Sequence, residues 1–209
     1  MLLLFFGPSG VGKGTYAKMF VKRNGFTHVS TGDILRAEAE SGTELGNKIK
    51  KMITSGVFVP PEMMISLLKS YLVRVDYKNK ELILDGFPRT LAQAKASRDF
   101  LDFDYLLSFE ASEETLVSRL SKRWTCPTCG AIYHEINIPS KVAGICDKDG
   151  AKLFQREDDK PDAIRKRLQQ YHDLMIPILG YYPKEKILKL SAEEDMETVY
   201  NRIIKALRL

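Results

Sequence analysis

The stretch Gly7-Pro8-Ser9-Gly10-Val11-Gly12-Lys13-Gly14-Thr15 decides how the rest of the chain is read. It carries the glycines and lysine of a phosphate-binding loop, G-x-x-x-x-G-K-[ST], with one displacement: Gly14 stands where a hydroxyl normally follows the lysine, and the hydroxyl arrives one residue later as Thr15. Before it, Leu2–Phe6 is a short apolar run that predicts a buried strand, and after it Thr15, Ala17, Phe20 and Val21 set a helical pattern. A strand, a glycine-rich turn and a helix start together make an anion site. The glycines let backbone wrap phosphate oxygens, and the helix offers free N–H groups and the positive end of its dipole. Gly10, Val11, Gly12, Lys13, Gly14 and Thr15 are the candidate phosphate ligands, with the Lys13 ammonium on the outer phosphates. With Gly14 in the hydroxyl slot, Mg²⁺ must be held by nucleotide phosphates and water, which suits an ion that sheds its waters reluctantly. A carboxylate behind that water is then expected, and Asp85, after an apolar run, is the candidate.

Four more apolar runs predict strands: His28–Ser30, Glu81–Leu84, Tyr105–Phe109 and Ile187–Leu190. Between them lie helical patterns, such as Leu116 and Leu120, or Ile164, Leu168, Tyr171 and Met175. Strands alternating with helices imply an α/β fold: a doubly wound parallel five-stranded sheet covered on both faces, three layers in all. Ligands of such sheets bind at the carboxyl ends of the strands. Gly7, then Ser30-Thr31-Gly32-Asp33, then Asp85-Gly86 fall there. Two regions break the alternation. Residues 31–60 read as short helices without a strand, and 124–159 reads as a turn-rich insertion.

With 209 residues, 44% hydrophobic and 28% charged, the chain has the length and composition of one soluble domain with room for insertions. The net charge of +5 suits polyphosphate ligands, and it is not gathered into the basic blocks of a nucleic-acid tail. No run approaches the roughly 20 apolar residues of a membrane span, and the start lacks a basic segment and cleavage site. An intracellular, cytoplasmic protein with neither nucleic-acid nor membrane partners is the expectation.

Arginines gather in unusual contexts: Arg36 after the second strand, Arg89 in Asp85-Gly86-Phe87-Pro88-Arg89-Thr90 after the third, Arg119 and Arg123 before the turn-rich insertion, and Arg156, Arg165 and Arg167 after it. Arg119 and Arg123, four apart, are predicted on one helical face. Phosphoryl transfer needs alignment and positive charge around the moving group, which guanidinium groups supply. No nucleophile and base pair stands out: His28, His134 and His172 each read as structural.

The segments GPSGVGKGT (7–15), VSTGDILR (29–36), DGFPRTLAQA (85–94), the Arg119 to Arg123 segment, CPTCGAIYH (126–134), GICDKDGAKLFQREDD (144–159) and IRKRL (164–168) cover the chain almost end to end. In them the sequence resembles the long-form adenylate kinases, within the nucleoside monophosphate kinases. The resemblance implies a core of residues 1–30, 61–123 and 160–209 with two mobile insertions. One, 31–60, would close over the acceptor AMP, and a lid, 124–159, would close over the donor ATP and exclude water. It further implies that Thr31, Arg36, Val57, Phe58, Val59, Gly86, Phe87, Pro88, Arg89 and Gln93 hold AMP. ATP would meet the loop, Arg119, Arg123, Ile132 and Tyr133, and Arg156 and Arg167 would clamp the acceptor and transferring phosphates. Lys13, Arg89, Arg123, Arg156 and Arg167 would be catalytic, with Asp158 and Asp159 orienting the arginines. ADP would be the product on both sides, and the family form is a monomer.

The chain departs from that pattern in three places. Ser9 replaces a proline, Lys122 and Trp124 flank Arg123 in place of glycine and a second arginine, and Ser191-Ala192-Glu193-Glu194-Asp195 replaces a glycine-containing loop. The last would meet the donor base, so GTP donor with AMP acceptor stays open beside ATP. A nucleotide-binding zinc switch is the different-class alternative, and it needs only one nucleotide where these arginines imply two.

Cys126-Pro-Thr-Cys129 and Cys146-Asp-Lys-Asp149 are separated by sixteen residues, the spacing of a four-ligand zinc site. Each half is a ligand, two residues, a ligand, then glycine, Gly130 or Gly150. That symmetry selects Asp149 over His134 as fourth ligand beside Cys126, Cys129 and Cys146, and a carboxylate oxygen is an acceptable Zn²⁺ ligand. Four protein ligands would make the site structural, folding a lid too small to bury its own core.

Overall fold

The computed structural model describes residues 1–54, 59–156 and 159–209. Val57, Phe58 and Asp158, expected to hold AMP or to orient the arginines, lie outside the described residues. A five-stranded parallel sheet forms the centre, in the order β2 (Thr27–Ser30), β3 (Leu82–Asp85), β1 (Leu2–Phe6), β4 (Tyr105–Glu110), β7 (Ile187–Ser191). The strands sit where their apolar runs predict, and β3 runs one residue further than expected, through Asp85.

The two-residue period of a strand splits its side chains between the faces. Leu3 and Phe5 join one core with α1 (Lys13–Asn24), α6 (Glu113–Ser121), α7 (Pro161–Gln170) and α9 (Met196–Leu207). Leu2, Leu4 and Phe6 join the other, with α2 (Thr31–Ala39), α4 (Pro61–Arg74) and α5 (Leu91–Ser97). Every residue of β1 is buried, as a central strand covered on both faces requires. At about 1.5–3 kcal/mol for each fully buried large apolar side chain, these two cores anchor the strand ends that carry the chemistry.

The chain leaves β1 to build β2 and β3 on one side and then crosses to β4 and β7 on the other, so the loop after β1 opens at the switch of direction. Residues 31–54 add α2 and α3 (Glu44–Thr54) with no strand between them. In the turn-rich insertion, β5 (Arg123–Thr125) and β6 (Ile132–His134) form a small antiparallel hairpin. Its own core is small, with Cys126, Ala131, Tyr133, Cys146 and Leu153 buried.

Two expectations change here. Arg119 and Arg123 do not share a helical face: α6 stops at Ser121, and Arg123 opens β5, drawn to a buried carboxylate 36 residues on. The pattern Ile164, Leu168, Tyr171, Met175 also runs past the end of α7 into a π-helical turn, Tyr171–Met175. Pro177 follows at the start of α8 (Ile176–Leu179). A proline has no N–H to give and its ring collides with the carbonyl four residues back, so the chain widens there. Among the described residues no helix is long and apolar enough to cross a membrane.

Candidate active site

The loop after β1 has the backbone its sequence demands. Gly10 and Gly12 take φ of 86° and 100°, where side chains are strained. A Cβ at Gly10 would also lie 2.8 Å from Leu120 Cγ, so α6 presses directly on the loop. Helix α1 begins at Lys13 with Gly12 as a cap that offers no side-chain hydrogen bond, and its first turn holds no acidic residue. Its first N–H groups are thus left to an anion. Lys13 Nζ donates to the carbonyls of Gly7 (2.7 Å) and Pro8 (2.9 Å), folding the ammonium over the loop. Gly14 behaves differently: a Cβ there would meet nothing within 4 Å, so open space rather than packing surrounds the displaced hydroxyl slot.

Register brings the other strand ends alongside. Asp85 pairs with Phe5 on one side and with Ser30 on the other. Burial pushes the Asp85 carboxyl upward, but the His28 contact and the Lys13 and Arg89 charges outweigh it, so the group lies below its usual range and is ionised. The His28 contact is one that the sequence reading missed: Nε2 stands 3.6 Å from Asp85 Oδ2. The sequence held only half of the signal: His28 is two residues before Ser30 and shares its face of the strand, but which strand pairs with it is not local. Burial lowers the Lys13 pKa to about 8; Asp85 opposes this, while Arg89, Arg167 and Arg123 add to it. Lys13, Arg89, Arg167 and Arg123 therefore stand close enough for their charges to act on Lys13, with the Asp85 carboxylate opposing them.

Arg89 is positioned from both sides. Its N–H donates to Gln93 Oε1 at 2.7 Å and its Nε to the Gly86 carbonyl at 2.9 Å. Gly86, at φ 83°, leaves no room for a side chain: a Cβ would sit 2.8 Å from Thr31 Oγ1 and 3.0 Å from Arg89 Nη2. Thr31 donates in turn to the Gly86 carbonyl at 2.9 Å. Phe87 is buried, and its bond to Pro88 is cis. Thr31, Leu35, Val59, Met64, Gly86, Arg89 and Gln93 line one narrow cleft. Arg36, exposed, pairs with Asp33 on its own helix.

On the opposite side, Asp159 is buried and binds Arg123 through two bonds, to Nε at 2.8 Å and to Nη2 at 2.5 Å. Arg167 Nη1 reaches the same carboxylate at 3.3 Å, while its Nη2 donates to Ser9 Oγ at 2.7 Å. Arg156 Nε donates to Thr125 Oγ1 in the hairpin. Arg119 turns elsewhere, to the Ala192 carbonyl at 2.8 Å. It lines a cavity of about 350 Å³ between α6 and the hairpin, together with His134, Ile136 and Asn137. Of the two hairpin residues expected near the donor base, Ile132 is exposed, whereas the Tyr133 ring turns inward and its hydroxyl accepts from Asp147 N–H.

Against known proteins, the adenylate kinase family model matches residues 5–187. The chain belongs to the adenylate kinase family. It is accordingly a phosphotransferase. The chain is 41% identical to an adenylate kinase of Thermosipho africanus over the full length of both. It is 44% identical to that of Fervidobacterium nodosum over 96% of each, and 42% identical to that of Archaeoglobus fulgidus over 97% of the chain and 96% of the relative.

This family member also carries a second chemical cluster, in the hairpin region. Cys126, Cys129, Cys146 and Asp149 each point one ligand atom inward, all within 4.8 Å of one another. Cys126 Sγ lies 3.2 Å from Asp149 Oδ2, and Cys129 Sγ 3.6 Å from Cys146 Sγ. A tetrahedral Zn²⁺ with Zn–S bonds of about 2.3 Å separates its sulfurs by about 3.8 Å, close to the 3.6 Å between Cys129 and Cys146, so this donor set suits that ion. The two halves have the same backbone. Cys126 N–H bonds to Ala131 O and Gly130 N–H to Cys126 O; Cys146 N–H bonds to Ala151 O and Gly150 N–H to Cys146 O. Gly130 and Gly150 turn both loops at φ of 67° and 73°.

Proposed function

We propose that this chain moves the γ-phosphoryl group of Mg²⁺·ATP reversibly to AMP, giving two ADP. The supporting observation is that the charges of Arg89, Arg123 and Arg167 all act on Lys13 in the phosphate loop, while Arg89 also lines the cleft of Thr31, Gly86 and Gln93. AMP occupies the side of Thr31, Arg36, Val59, Gly86 and Gln93. Its phosphate meets Arg89, with Arg156 and Arg167 beyond. Because Gln93 Oε1 already accepts from Arg89 N–H, its amide nitrogen is left as a donor toward the acceptor base. ATP lies with its phosphates on the loop from Gly10 to Thr15 and its nucleoside in the cavity beside Arg119 and the hairpin.

A phosphate oxygen of AMP attacks γ-phosphorus, the bond to the β,γ-bridging oxygen breaks, and ADP leaves as the second product. The guanidinium groups and Lys13 spread over the oxygens that gain charge, so alignment and electrostatics carry the catalysis. Mg²⁺, when bound with ATP, neutralises charge on the β- and γ-phosphate oxygens. Asp85, held ionised, would accept hydrogen bonds from water bound to that ion. Residues 31–60 and 124–159 close over the two nucleotides and keep water from taking the phosphoryl group. Cys126, Cys129, Cys146 and Asp149 hold a structural Zn²⁺ that orders the lid.

A donor-by-acceptor panel of nucleotides read by phosphorus NMR tests this. ATP with AMP should give ADP alone, faster than any other pair. GTP as the better donor would move the base assignment, and no phosphorylation of any nucleoside monophosphate would end the kinase reading.

A further inference from the structure

Ser9, the residue that departs from the proline of the resemblance, makes a contact that proline cannot. Its Oγ accepts a 2.7 Å hydrogen bond from Arg167 Nη2, joining the loop after β1 to α7 across 158 positions of sequence. The bond from Arg167 to Asp159 Oδ1 is longer, at 3.3 Å, and that carboxylate is already gripped by Arg123 through two bonds. Arg167 also stands among cations: it acts electrostatically on both Lys13 and Arg89. Like charges drawn together without an anion repel, so the guanidinium keeps its place over the loop only where acceptors hold it.

We propose that Ser9 is a positioning residue: its hydroxyl holds the Arg167 fork over the phosphate loop and keeps it aligned on the transferring group. This rests on the phosphotransfer reading above. A serine hydroxyl has one proton to donate and two lone pairs. It can therefore go on accepting from Arg167 whichever acceptor its own proton finds. The loop backbone and the arginine then move as one unit when phosphate arrives, and the arginine does not have to be recruited from solvent.

The test is a double-mutant cycle in full-length protein with Mg²⁺·ATP and AMP, using Ser9→Ala, Arg167→Lys and the double variant, with Ser9→Thr as the conservative control. Hydrogen bonds to charged groups are worth roughly 1.5–3 kcal/mol, so Ser9→Ala should lower kcat about ten- to a hundredfold. KM for both nucleotides should change little, and Ser9→Thr should restore kcat. In the Arg167→Lys background, which lacks the fork, the Ser9→Ala penalty should shrink to about twofold or less. Wild-type kcat in Ser9→Ala, or an equal loss in both backgrounds, would overturn the proposal. A loss seen mainly as raised KM for ATP would also overturn it, since that marks a loop that merely binds phosphate less well. If the unaltered chain made no ADP from ATP and AMP, the phosphotransfer reading itself would fail, a result distinct from any of these.

Discussion

The phosphate loop and the cysteine cluster are both made of glycine turns around a charge, but they are held in different ways. The loop stands on β1, a strand buried on both faces, and its partners arrive from β3, α5, α6 and α7, each fixed by one of the two large cores. The cluster stands on a hairpin of two three-residue strands with a core of five buried residues, two of them the ligand cysteines Cys126 and Cys146. In the core, apolar packing places the charges. In the hairpin region, on the proposed reading, a bound metal ion places the packing. Substitutions in the core should therefore alter chemistry or local strain and leave the lid intact, and loss of metal should do the reverse.

Arg89→Ala is expected to have the largest effect on the core side. Arginines at the moving phosphoryl group are worth about 10³–10⁵ in rate, so kcat should fall about a thousandfold with the thermal midpoint and metal content unchanged. A steady-state assay beside a melting curve checks both, and a rate near wild type would remove Arg89 from the transfer.

How much of this was legible beforehand follows from the range of the signals. The loop could be read because glycine at positive φ, a preceding apolar strand and a following helix are all local. The cysteine spacing was readable for the same reason, and its mirror symmetry picked the aspartate that the structure brings to the thiols. Arg123 could not be placed, because a four-residue spacing assumes that the helix continues. Its strand position is set by Asp159, far along the chain. His28 escaped for a related reason: its meeting with Asp85 depends on which strands pair, and β3 enters the sheet between β1 and β2 although it comes later in sequence. Ser9 was visible as an irregular spelling, and only the fold shows that its hydroxyl meets Arg167.

A smaller effect on the same side is expected of Gly86→Ala. The φ of 83° strains any side chain, and the new Cβ would crowd both Thr31 Oγ1 and Arg89 Nη2. Strain of this kind costs about 1–3 kcal/mol. The variant should unfold at lower denaturant with an unchanged slope, and its KM for AMP should rise. Unchanged stability and KM would mean that the Thr31–Gly86–Arg89 packing has slack.

The mildest effect is expected of pH. Lys13 in the nucleotide-free protein has its pKa lowered to about 8, and a polyphosphate favours the ammonium, so binding raises that pKa. Below pH 8 the charge is present in both states and ATP affinity is flat. Above it, binding must take up a proton, and affinity should fall by up to about tenfold per unit. Calorimetry at pH 8.5 in buffers of different ionisation enthalpy should show uptake of up to one proton, and none would contradict the burial of Lys13 among cations.

The contrast between the two regions is tested most directly by amide hydrogen exchange of the whole protein before and after metal is stripped with a chelator. The expected result is that amides of 124–156 lose protection while those of β1, β3 and β4 keep theirs, and that added Zn²⁺ restores the first set. Protection lost together in lid and sheet, or in neither, would contradict a lid ordered by its metal on a core ordered by its packing.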